Sequence, residues 1–160
     1  MWRDDESEDV EEIPRQVKDR DALHALEAVY RGIEEAYRGF ACEGSAECCG
    51  FPGGREPHLF PVELLRLEKA LAKEGRALPP KRPDGACPLL SADGQRCTVY
   101  SDRPFGCRTF FCHRVKGPGA LPNAKINALS ARLTRLSDAR DEGANPRKLS
   151  ELLEDLRRPR

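Results

Sequence analysis

All seven cysteines of the chain lie between Cys42 and Cys112, in irregular segments rich in turn formers with too few apolar residues of their own to pack them. This placement constrains the fold more than any other feature, because such a stretch cannot be packed by apolar burial alone. The start "RDDESEDVEE" is acidic and has no apolar h-region, and no run approaches the ~18 apolar residues of a membrane span. A cytoplasmic protein with no membrane contact is therefore expected. Disulfides do not persist in that compartment, and the odd cysteine count agrees. A thiolate-bound metal is the remaining staple, and it can supply on the order of 10 kcal/mol of apparent folding free energy.

Around this stretch the apolar residues fall into helical patterns. Leu23, Leu26, Val29, Tyr30, Ile33 and Tyr37 predict an amphipathic helix over 21–38. Pro61, a favoured first helical residue, opens a second with Leu64, Leu65, Leu67 and Leu71, which Gly75 closes over 61–74. Ile126, Leu129, Leu133 and Leu136 mark a third over 123–139. Leu149, Leu152, Leu153 and Leu156 mark a fourth over 146–157. These stripes read as core. The expected fold is mainly α: a small irregular metal-stapled domain with about four helices and one short β-hairpin, in which "RCTVY" pairs near Cys87 through a turn at Asp93-Gly94. Residues 1–18 are expected to be an acidic flexible segment, and 19–160 a single cysteine-cluster domain.

The spacings are C-x5-C-C for Cys42, Cys48 and Cys49, then C-x9-C-x9-C-x4-C for Cys87, Cys97, Cys107 and Cys112. None is the C-x2-C pair of a zinc finger. Adjacent side chains point apart in an extended chain, so Cys48 and Cys49 can serve one centre only from a turn, which the nearby glycines permit. Cys107 and Cys112 stand about 140° apart on a helix, so the helix must end between them if they share a site. Seven thiols exceed the four that one zinc or one cubane cluster takes. Cys42, Cys49, Cys97 and Cys107 are the favoured ligands. Cys48, Cys87 and Cys112 are second-site or bridging candidates, and His113 and, less so, His58 are possible substitutes.

Net charge is zero, with 27 basic and 27 acidic residues, but the chain is electrically polar: 103–135 contains no Asp or Glu. Four thiolates on Zn²⁺ or on a [4Fe–4S]²⁺ core leave a charge of −2 that is costly to bury alone. Arg96, Arg103 and Arg108, interleaved with the later cysteines, can compensate it and favour the thiolate form. Each could equally be part of a solvated face. No His with an orienting Asn or Asp suggests a Cys nucleophile, and "FPGG" lacks the strand-helix context of a phosphate loop, so it reads as a plain turn.

The compound pattern resembles the YkgJ-type cysteine-cluster family, whose members are regarded as zinc- or iron-chelating. The matching elements are Cys42, Cys48 and Cys49, then "CPLL" at Cys87, "CTVY" at Cys97 and "RPFGCR" with Cys107; Ser45 stands where the family often has its second cysteine. The resemblance implies a metal-binding protein holding Zn or an iron-sulfur cluster (4Fe-4S). "FACEGS" also resembles the cysteine region of bacterial flagellin lysine N-methylases.

Three functions follow: an electron-transfer or redox-accessory protein with an iron–sulfur cluster, a zinc-stabilised interaction module, or a metal-dependent enzyme related to protein methylases. A protein partner is expected. The basic 103–135 stretch would admit nucleic acid only as a lesser alternative.

Overall fold

The computed structural model describes residues 15–40, 46–50, 56–109, 117 and 119–157. Among them are five α-helices: α1 (Arg15–Ala36), α2 (Pro61–Lys73), the single turn α3 (Phe105–Arg108), α4 (Asn123–Arg140) and α5 (Leu149–Arg157). Two short strands, β1 (His58–Leu59) and β2 (Arg147–Lys148), pair antiparallel with His58 opposite Lys148 and Leu59 opposite Arg147. The class is the mainly helical one expected.

The helix expected from Asp21 begins at Arg15, because α4 runs antiparallel beside it and gives its first turns a partner. Arg140 near the end of α4 donates to Asp19 of α1 at 2.8 Å. Gly32 admits the same neighbour: a Cβ there would sit 2.8 Å from Leu129 Cδ2. Helix α5 begins at Leu149 rather than 146, since Arg147 and Lys148 are drawn into β2. Its entry is fixed by the Leu149 N–H on the Pro57 carbonyl at 3.0 Å and by the Ser150 N–H on the Glu56 carboxylate. The acidic segment expected over 1–18 lies outside the described residues as far as residue 14.

The expected β-hairpin reduces to one antiparallel bridge between Leu90 and Cys97. Its turn forms at Ser91 to Gly94, with Gly94 at φ 74°, a conformation glycine adopts without steric cost. A longer ladder is prevented because its backbone donors are used elsewhere. The Cys87 N–H bonds to the Cys49 carbonyl at 2.7 Å, and the Leu90 N–H turns back to the Cys87 carbonyl at 3.0 Å.

Two apolar clusters form the interior. One joins Leu26, Val29, Tyr30 and Ile33 of α1 to Phe60, Val62 and Leu133, with Phe105 against its edge. The other joins Leu59 and Leu64, Leu67 and Leu71 of α2 to Leu149, Leu152 and Leu153 of α5, and it includes Cys87, Leu89 and Val99 with Cys49 and Cys97 packed on it. Helix α2 therefore serves both: Val62 faces the α1 side, and its later leucines face the cysteine loops. Among the described residues no helix is long and apolar enough to cross a membrane.

Candidate metal centre

Five free thiols, Cys48, Cys49, Cys87, Cys97 and Cys107, are described. They come from three separate segments. Cys48 and Cys49 sit in a 3₁₀ turn over Ala46–Gly50, where successive side chains are about 120° apart rather than opposed. This is the turn their adjacency required. Its carbonyl contact with the Cys87 N–H fastens that turn to the second segment, and the Leu90–Cys97 bridge brings Cys97 back alongside. Cys107 arrives on α3, whose N–H groups at Cys107 and Arg108 both bond to the Pro104 carbonyl at 3.0 Å.

The thiols are electrostatically one group. Cys49 neighbours both Cys48 and Cys97 and acts on the ionisation of each. That proximity, helped by the Arg103 guanidinium, holds Cys48 down to about 6 and Cys97 to about 7, while Cys49 is pushed well above the ordinary thiol value. Burial pushes Cys87 up to about 11 and, with the neighbouring charges of Cys87, Cys97 and Cys48, Cys107 up to about 12. Among the described residues no three His, Cys, Asp or Glu side chains are gathered so that they could hold a metal ion by themselves. Cys42, Cys112 and His113 lie outside the described residues. In chemistry the donor set fits zinc or iron: sulfur ligands, a turn that points two of them inward, an apolar wall and a nearby cation.

The three arginines separate. Arg103 is the one whose charge reaches Cys48, Cys97 and Cys107, and it lies 3.9 Å over the exposed Tyr100 ring with its Nε on the Tyr100 carbonyl. Arg108 turns to the helical side: it lies 4.1 Å over the Tyr30 ring, donates to the Arg103 and Ser101 carbonyls, and pairs with Glu34 at 3.6 Å. Arg96 is exposed beside the 91–94 turn. His24 and His58 are also exposed, and His58 belongs to β1.

One residue beside the centre was not singled out by the sequence reading. Glu63 is 1% exposed and accepts the Tyr30 hydroxyl at 2.8 Å, the Phe60 N–H at 3.2 Å and the Phe105 N–H at 2.6 Å. Burial raises its pKa, against the pull of those donors and of Arg108. Burial first, and the Glu63 carboxylate after it, push the Tyr30 phenol far above its usual range. The available signal was Glu at the third helical position after Pro61, which is half of a capping box.

Free thiols from three segments on a helical frame are the donor chemistry of a small cysteine-rich metal-chelating domain. Residues 41–131 match the family model CxxCxxCC, described as "Putative zinc- or iron-chelating domain", and the chain belongs to that family. No curated protein and no solved structure matches it.

Proposed function

We propose that this chain holds an iron–sulfur cluster on cysteine thiolates and acts in electron transfer or as a redox accessory to another protein. The observation that carries this reading is that three segments bring Cys48, Cys49, Cys87, Cys97 and Cys107 near enough to shift one another's ionisation while the described histidines stay exposed. A sulfur-only donor set is the usual holder of such a cluster, and a bound cluster would supply one-electron chemistry. Cys42 and Cys112 complete the proposed ligand pool.

The chain's own residues prepare the site. Cys48 and Cys97 are held toward the thiolate that a metal needs, and Arg103 opposes the build-up of negative charge. Leu59, Leu64, Leu89 and Val99, in the cluster on which Cys49 and Cys97 pack, keep water from one side. In iron–sulfur proteins, burial and hydrogen bonding to the sulfurs are the levers that set potential.

Zinc is the second reading. The all-thiol donor set suits it equally, since four cysteines make an ordinary closed structural zinc site. Metal and sulfide analysis with an optical spectrum, on protein purified without oxygen, separates the two. Iron and sulfide in matching amounts, with broad absorbance that bleaches on reduction, is the expected result. Colourless protein with stoichiometric zinc would replace it with a zinc-stabilised interaction module.

A further inference from the structure

Helix α3 carries Cys107 but has no cap of its own. Pro104 precedes it and offers no side-chain acceptor, so the first N–H of the turn, that of Phe105, has no local partner. Glu63 supplies one from 42 positions away, taking that N–H on Oε2 at 2.6 Å. The same oxygen accepts the Tyr30 hydroxyl, and Oε1 accepts the Phe60 N–H. The other end of α3 returns to this node, because Arg108 lies over the ring of Tyr30.

A four-residue helical turn is too short to hold itself, so its place depends on such tethers. Glu63 is buried and fully occupied by α1, by its own helix start and by α3, and so it registers the Cys107 turn against both helices.

We propose that Glu63 is the positioning residue for Cys107 in the metal centre: a carboxylate on α2 that caps α3 from a distance and thereby places that thiol among the others. The assignment rests on the thiolate-centre reading above. It concerns placement alone, since Glu63 touches backbone and phenol rather than the thiols.

The test is residue-resolved alkylation by iodoacetamide, read by mass spectrometry, on the full chain loaded with Zn²⁺ or anaerobically with iron and sulfide. In wild type the metal is expected to protect the ligand thiols, Cys107 included. Glu63→Ala removes both carboxylate oxygens, so the Phe105 N–H loses its acceptor. Cys107 is therefore expected to be alkylated at least about tenfold faster, in line with the effect of losing a residue that orients a ligand, with Cys48, Cys49 and Cys97 still protected. Tyr30→Phe keeps the ring and removes one donor from Glu63. It is expected to expose Cys107 selectively but less, and it carries the test if circular dichroism finds Glu63→Ala unfolded. An equal rise at every thiol in both variants would make Glu63 merely structural, and no rise would also overturn the assignment. Wild-type thiols that no metal protects would overturn the thiolate centre itself, and the assignment with it.

Discussion

The two apolar clusters are of similar size and share α2, yet they are built differently. In the cluster on α1 the buried positions Leu26, Val29, Tyr30 and Ile33 repeat at helical spacing, and α4 lies along them. Each element there hydrogen-bonds its own backbone. In the cluster under the cysteines, α2 and α5 provide regular walls, but the segment between α2 and α3 contributes Cys87, Leu89 and Val99 from turns and one isolated bridge. Its order depends on contacts between distant pieces, such as the Cys87 N–H on Cys49 and the Arg76 guanidinium on the Thr98 carbonyl and hydroxyl. The first half is ordered by local sequence. The second needs a cross-link, and thiols are the groups it has brought together.

Removing the metal should separate the halves most strongly. Structural thiolate metals contribute on the order of 10 kcal/mol, so a chelator is expected to abolish amide-exchange protection over 87–109 while α1 and α4 keep theirs. Uniform loss, or none, would break the comparison. Next in size are cavities. Leu26→Ala and Leu153→Ala each remove a fully buried side chain and should each cost about 2–5 kcal/mol in denaturant unfolding. Only the second, on the cysteine side, is expected to loosen metal retention in a chelator competition.

The thiols sharpen the comparison further. In metal-free protein Cys48 near 6 and Cys97 near 7 are largely or half ionised at pH 7, whereas Cys87 near 11 and Cys107 near 12 stay protonated. Alkylation at pH 7 should favour the first pair by roughly a hundredfold. As pH falls from 8 to 5 their rate should decline through midpoints near 7 and 6, below the ordinary thiol value of about 8.5. The smallest effect belongs to the 3.6 Å pair between the largely buried Arg108 and the exposed Glu34 on α1. Glu34→Ala should change stability by less than about 1 kcal/mol, checked by urea unfolding.

The same contrast decides what could be read in advance. Helices α1, α2 and α4 were legible because a 3.6-residue period needs no partner to be recognised, and Pro61 marked the start of α2 to the residue. The β1–β2 pair was not legible: two residues per strand carry no alternation, and the partners lie at opposite ends of the folded segment. The cysteines were visible as donors, and so was the need for a turn at Cys48-Cys49. The divergence of Arg103 and Arg108 was not, because Arg103 closes the 100–102 turn ahead of Pro104 while Arg108 ends α3. Glu63 escaped for a related reason, since an acid on an apolar helix face reads as solvent-facing until its long-range partners are known.

Helix α5 lies over the cluster that contains Cys87, through Leu149, Leu152 and Leu153. It follows every cysteine in the chain, so during synthesis the thiols emerge before their apolar cover exists. Pairing of β2 with β1 and docking of α5 are non-local steps, and such contacts form late because distant ends must first meet. The thiols thus pass through an interval in which they are open to solvent, to oxidants and to an incoming metal. Docking of α5 then closes the shelter around whatever they hold.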